Sequence, residues 1–434
     1  YKNVLELGSG SYLTVDTQIL KVETKEWWNI HPFYQLQNSD SFETSKEKVD
    51  QMLHEGIRRR VESSDLEVGS FLSGGIDSGL VTAIASQYNK NLKTFTVSFE
   101  GEYDEAPLAK LVAEKYGTIH TTIPIAFTAL KNDIEKIISN YGEPFFDSSA
   151  IPSYYVSCEA RKHLTVILNG DGADELFGGY RRYVPFAQYD FFGSGKFVRN
   201  MAAITKTMMP AAHNKKSKYN YIYRLASLAS RNSAEIYLSA GVDIFEDFEK
   251  HFIHTQGDYM ADLRKDFASI MAAPMSGLKK LMNVDFTANL FSDLLVKMDI
   301  ATMAHSLEGR SPFLCKELLE YVPSMNDQFK IKGRTTKYLL RELAKKYLPT
   351  ELIHQPKRGF EIPLKTWVNH ELKEMINDYI LDPSALNKQL VDPAFVSALV
   401  HHKVKIPAEK RAKILYTLFS MEVWYKKVYQ SGKS

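Results

Sequence analysis

The chain has 434 residues, with 54 Lys and Arg against 52 Asp and Glu and a formal net charge of +2. That length implies two or three modules, and the balance of charge gives no general argument for nucleic acid or a membrane surface. Cys158 and Cys315 form no CxxC pair, there is no HExxH, and no window reaches the ~20 apolar residues of a spanning helix; these absences exclude a zinc signature and fit a reduced, cytoplasmic protein.

Residues 1 to about 33 read as β, with Gly8, Gly10 and Asp16 punctuating short alternating runs such as Ser11 to Val15. The chain starts at Tyr1 in mid-pattern, so an upstream segment is expected to be missing. Pro32 and the polar stretch Gln35 to Ser45 read as a linker, followed by a helix from about Ser45 to Ser63. From 66 to about 170 strands alternate with helices. The strand candidates are Val68–Leu72, Thr94–Phe99, His120–Ile123 and Thr165–Leu168. The helix candidates are Gly79–Tyr88, Pro107–Tyr116, Thr128–Ser139 and Ser153–Lys162. That alternation predicts a parallel sheet covered on both faces, with ligands bound beyond the carboxyl ends of the strands. From about 185 onward nearly everything reads helical.

Four stretches carry chemistry. Ser73-Gly74-Gly75-Ile76-Asp77-Ser78 lies between a strand and a helix. Its glycines, hydroxyls and helix N-terminus suit a phosphate cradle, and Asp77 fits there if Mg²⁺ lies between it and the phosphates. The alternative is a Gly-rich turn with an ordinary cap. Asn169-Gly170-Asp171-Gly172-Ala173-Asp174-Glu175 places three carboxylates within five residues after a strand. Buried together they require counter-charge, which a metal and a phosphoanhydride supply. On a helix starting near Gly172, Asp171 and Asp174 would share a face; acidic residues at a capped helix start are the alternative. Gln355 to Pro363 sets Lys357 and Arg358 beside Gly359, between prolines. Lys357 suits a point charge on a phosphoryl group, and a solvated basic loop accounts for the pattern as well. In Met303 to Phe313, Glu308 and Arg310 are placed to pair, and His305 reads as a core histidine. Gly193-Ser194-Gly195-Lys196 is not a Walker loop, because Asp190 stands where its first glycine belongs and Phe197 where Ser or Thr follows.

Together these stretches resemble the asparagine synthetase family across essentially the whole chain. The Ser73 loop resembles the loop shared by AMP-forming ATP pyrophosphatases, and Asn169 to Tyr180 is similar to the family's S-G-E-G-x-D-E-L-F-x-G-Y signature. Ala304–Phe313, Lys337 within Thr335 to Leu339, Lys357–Pro363 and the closing Ile414 to Trp424 helix follow in the family's order. The fold so implied is α/β, a parallel-sheet ATP-pyrophosphatase (adenine nucleotide alpha hydrolase-like) domain with a large helical C-terminal part. Residues 1–33 resemble the last strands of an N-terminal-nucleophile glutaminase domain. Residues 34–434 form the ligase domain, split into a nucleotide-binding core at 34–185 and a mostly helical part at 186–434.

The resemblance implies ATP and Mg²⁺ as cofactors, with Ser73, Gly74, Gly75, Ile76, Asp77 and Ser78 on the pyrophosphate and Asp77 and Asp174 on the metal. Phe71, Leu72 and Val97 would line the adenine pocket, with Asn169 and Gly170 against the nucleotide. Lys357 and Asp171 would be catalytic. Aspartate is the implied carboxylate substrate. Ammonia would come from glutamine through the absent glutaminase domain, whose N-terminal cysteine lies upstream. No nucleic acid or membrane partner is implied, and a homodimer is allowed. This sequence departs from the family pattern in having Asp171 for glutamate, Asn169 for serine, Gly79 for serine and Cys315 for aspartate. The first departure opens the substrate to other carboxylates, such as a cell-envelope sugar acid. An AMP-forming tRNA-modifying enzyme and a nucleotide-binding pseudoenzyme are the rival readings.

Overall fold

The computed structural model describes residues 4–98, 104–125, 127–189, 196–209, 218–231, 236, 251–253, 261–355 and 362–433. Its centre is a five-stranded sheet of β3 (Val68–Phe71), β4 (Lys93–Ser98), β5 (Ile119–Pro124), β6 (Val166–Leu168) and β7 (Glu308–Arg310), in the order β5-β4-β3-β6-β7. Every pairing is parallel. Parallel neighbours need crossovers, and helices Ile76–Tyr88, Ala106–Tyr116 and Phe127–Ser139 lie between successive strands.

The central strands β3, β4 and β6 are buried on both faces, and the pleat shows how. Val166 and Leu168 of β6 belong to one apolar cluster, with Val68 and Leu72. Ile167, between them, belongs to a second cluster with Phe95 and Val97. Successive side chains of a strand point to opposite faces, so a short apolar run feeds two cores. The first cluster takes in helices Phe42–Glu62 and Tyr338–Tyr347, and the second the closing helix Ala408–Trp424.

The strand order sets the site. From β3 the chain winds outward through β4 and β5, then returns to lay β6 on the other side of β3. The crevice at such a reversal opens at the carboxyl ends of the strands. The loops after β3 and β6 therefore meet, with Ser70 paired to Leu168 just before them.

Three expectations are corrected. Strand β7 lies in the part expected to be helical; Glu308-Gly309-Arg310 has neither alternation nor β-branched residues, and it becomes a strand by pairing with β6. Helix Phe42–Glu62 begins within the expected linker, because Ser41 caps it by accepting from the Thr44 N–H. Asp171 and Asp174 do not share a helix face: helix Ala173–Phe177 starts after Gly172, whose φ of 87° turns the chain between them.

Ahead of this body, β1 (Ser11–Asp16) and β2 (Lys21–Glu26) pair antiparallel with each other alone. Leu13, Val15 and Val22 on it are about half exposed. Trp28 ties its end to the body through Glu320 Oε1 at 3.3 Å.

Candidate active site

The switch-point crevice holds a cavity of about 470 Å³. Residues 71–78, Val97, Asn169, Gly170, Asp171 and Asp174 all line it. Lys357 lies outside the described residues.

The loop after β3 is held by its own hydroxyls. Ser78 Oγ accepts from the Ser73 N–H at 3.1 Å and lies 2.9 Å from Ser73 Oγ, which accepts from the Gly75 N–H at 3.2 Å. Helix Ile76–Tyr88 opens directly after it, with its N-terminus facing the cavity and Asp77 in its first turn. Phe71, Leu72 and Val97 form an apolar wall beside the loop.

Asp77 and Asp174 come from different crossovers, yet one ammonium contacts both. Lys337 Nζ lies 2.5 Å from Asp77 Oδ2 and 2.7 Å from Asp174 Oδ1. Lys337 is only 4% exposed, and it precedes helix Tyr338–Tyr347 in a left-handed conformation with φ 51°. Gly179 makes the approach feasible: a Cβ there would stand 1.7 Å from Asp174 Oδ1 and 2.4 Å from Lys337 Cε. Asp77 Oδ1 is buried without a hydrogen-bond partner. Two carboxylates around one cation position, with an oxygen still to satisfy, fit Mg²⁺, which takes few protein ligands when phosphates and water complete its shell. Among the described residues no group of three or more His, Cys, Asp or Glu converges on a metal position.

A second charged group lines the same cavity. Lys297 donates from Nζ to Asp147 Oδ2 at 3.0 Å. Burial opposes the charge on Lys297, but Asp147, Asp171 and Asp293 outweigh it and raise its pKa. Burial would also raise the Asp147 carboxyl, yet Lys297 and the donors of Ser149 hold it below its usual range. Asp293 is pushed up to about 6, by burial first and by Asp147 second. It belongs to a π-helical segment, Phe286–Leu295, a geometry concentrated at functional sites.

Glu175, beside Asp174, is 1% exposed, and Tyr180 donates its hydroxyl to Oε1 at 2.5 Å. Burial, then the neighbouring Asp174 charge, raises its pKa to about 7.

Sequence reasoning passed over Lys297, Asp147 and Asp293, and counted Glu175 among the carboxylates of its cluster without giving it a role. Glu175 had a signal, the third carboxylate of its cluster, whereas Lys297 and Asp147 lie 150 residues apart and carry none. Among the family departures, Asn169 accepts from Ser311 Oγ at 2.6 Å, tying the end of β6 to the segment after β7, and Cys315 is buried against Gly56. Glu308 and Arg310 do pair, at 2.7 Å, and His305 packs edge-on against Tyr154.

The asparagine synthase family model matches residues 48–426. The chain is 30% identical over 426 residues to asparagine synthetase [glutamine-hydrolyzing] 1 of Bacillus subtilis (strain 168), covering 95% of this chain and 66% of that protein. It is 29% identical over 392 residues to a putative asparagine synthetase [glutamine-hydrolyzing] of Mycobacterium tuberculosis (strain ATCC 25618 / H37Rv), covering 89% and 58%. Amidase chry2 of Gibberella zeae is 24% identical over 430 residues, covering 83% and 60%. The chain thus spans less than two thirds of the length of each of these relatives.

Proposed function

The chain belongs to the asparagine synthase family, and on that premise we propose that it is an AMP-forming carbon–nitrogen ligase, converting aspartate to asparagine through β-aspartyl-AMP. The observation that carries this reading is the meeting of Asp77 and Asp174 around one cation position, beside a loop and helix N-terminus built for phosphate.

ATP would lie with its adenine against the apolar wall of Phe71, Leu72 and Val97 and its phosphates over residues 73–78, a reading supported by all of these lining one cavity. Asp77 and Asp174 would hold Mg²⁺, which when bound would neutralise phosphate charge. The substrate carboxylate attacks the α-phosphorus; the new oxygen–phosphorus bond forms as the α–β bridge breaks and pyrophosphate leaves. This activation is required because a carboxylate is a poor electrophile. Lys357 steadies the departing charge. Ammonia then attacks the acyl carbon, AMP departs, and Asp171 takes the proton released from nitrogen.

The second charged group bears on the substrate. Lys297 suits a carboxylate, while Asp147, Asp171 and Asp293 outnumber it and favour a substrate that also carries an ammonium. That supports an amino acid over the second reading, a sugar acid, which Asp171 in place of glutamate otherwise leaves open. Ammonia would come from glutamine hydrolysed in a preceding glutaminase domain, supported by the exposed β1–β2 hairpin, since a lone hairpin in water is marginal at best. Among the described residues no helix is long and apolar enough to cross a membrane.

The test is exchange of labelled pyrophosphate into ATP with a panel of acids. Aspartate is expected to support exchange. Exchange with a sugar acid and not with aspartate overturns the assignment.

A further inference from the structure

We infer that in the nucleotide-free protein the Lys337 ammonium stands in for the divalent cation and thereby makes metal entry depend on nucleotide. The inference rests on the reading of Asp77 and Asp174 as metal ligands.

Two carboxylates facing one position repel each other when buried. Lys337 removes that repulsion by contacting both, at 2.5 and 2.7 Å. Its placement is specific in three ways. The residue is 4% exposed, so its charge is taken out of water for this contact. Its backbone holds the left-handed conformation, unusual for a side chain with a Cβ. Gly179 leaves the space that its Cε and the Asp174 carboxylate occupy.

The other nearby cation does not take this place. Arg341 attracts both carboxylates, but its guanidinium is committed to the carbonyls of Thr336, Ile353 and Gln355. A lysine has three rotatable donors on a flexible stem, so its ammonium can turn from carboxylate to phosphate. A metal arriving alone meets two carboxylates already neutralised by a buried ammonium. A metal arriving with triphosphate brings anionic oxygens onto which that ammonium can transfer. The lysine thus couples two binding events that would otherwise be independent.

The test uses Mn²⁺ as probe, read by its electron paramagnetic resonance signal, with and without an α,β-methylene ATP analogue. The unsubstituted protein is expected to take up Mn²⁺ tightly only with the analogue. Lys337→Gln should bind Mn²⁺ without nucleotide at least about tenfold more tightly than the unsubstituted protein, a ~1.4 kcal/mol change. Lys337→Met serves if the glutamine variant does not fold. Lys297→Gln removes an equal charge from the same cavity and should keep the nucleotide requirement. If Lys337→Gln still needs the analogue, or if Lys297→Gln loses the need as well, the lock is wrong and the metal reading survives. If no form binds Mn²⁺ even with the analogue, the metal reading itself falls.

Discussion

The two ends of the cavity are charged on different plans. At the end proposed for phosphate one ammonium, Lys337, bridges two carboxylates beside a loop held by its own backbone and hydroxyls. At the end proposed for the acid one ammonium, Lys297, pairs with Asp147 and feels the charges of Asp171 and Asp293 as well. The first end is organised by a loop and a helix start, which depend little on the ligand beyond its phosphates. The second is organised by side chains alone, and a change in any one would alter what it accepts. On the proposed reading, one cavity joins a general activating device to a particular acceptor pocket.

The largest expected effects come from the phosphate end. Asp77→Asn and Asp174→Asn should each lower acid-dependent pyrophosphate exchange by about 100-fold or more, since each removes half of the protein's contribution to the cation. The loss should be the same for every acid tested. Loss confined to one acid would mean that the two ends are not separate.

Lys297→Met tests the other side. It should lower kcat/KM for the acid by about 10- to 100-fold, while the KM for ATP stays within about twofold. Asp147 would lose its cation and keep only the Ser149 donors, so a lower Tm is also expected. Steady-state kinetics with each substrate varied in turn separates the terms. An equal rise in both KM values would erase the distinction between the ends.

Asp171 stands where the two plans meet. Asp171→Glu adds one methylene, moving the carboxylate by ~1.5 Å. A shift of that size in a reacting group changes rate more than binding. The amide-forming step should therefore change by about tenfold in kcat, with adenylation less affected. Comparing exchange with full turnover reads the difference. Equal changes in both would place Asp171 in substrate binding instead.

The contrast also explains how far residues alone could be read. The Ser73 loop is contiguous, follows an apolar strand and opens a helix, so local spacing carried its meaning. The parallel sheet followed from the alternation of short apolar runs with helices. Strand β7 had no such pattern, because Glu-Gly-Arg becomes a strand only by lying beside β6. The Asp171–Asp174 face failed for a local reason, the left-handed Gly172. Beyond Asp171 the other end could not be read: Asp147 and Lys297 are joined by the packing of helix Val296–Met303 against helix Ala150–Arg161 and the segment before it. Lys337 was visible through the family resemblance, but its bridging of two carboxylates is a property of the fold.

The smallest expected effect belongs to Glu175, which lies beneath the phosphate end and shares its burial. Its folded pKa is about 7, against an ordinary value of 4.5. Between those two values the folded chain holds a proton that the unfolded chain has released. Stability from this group is therefore complete below about pH 4.5 and is lost as pH rises through about 7. Glu175→Gln cannot release that proton and can still accept from the Tyr180 hydroxyl, so its contribution should be flat across the window. The variant should gain stability on the unsubstituted protein as pH rises from 4.5 to 7.5, by an amount on the order of 3 kcal/mol, read as a rise in relative Tm. The scan is made without metal or nucleotide, because either would change the Asp174 charge that Glu175 feels. Parallel curves across that range would mean that Glu175 is ionised in the folded protein, and that the phosphate end carries one more negative charge than its geometry implies.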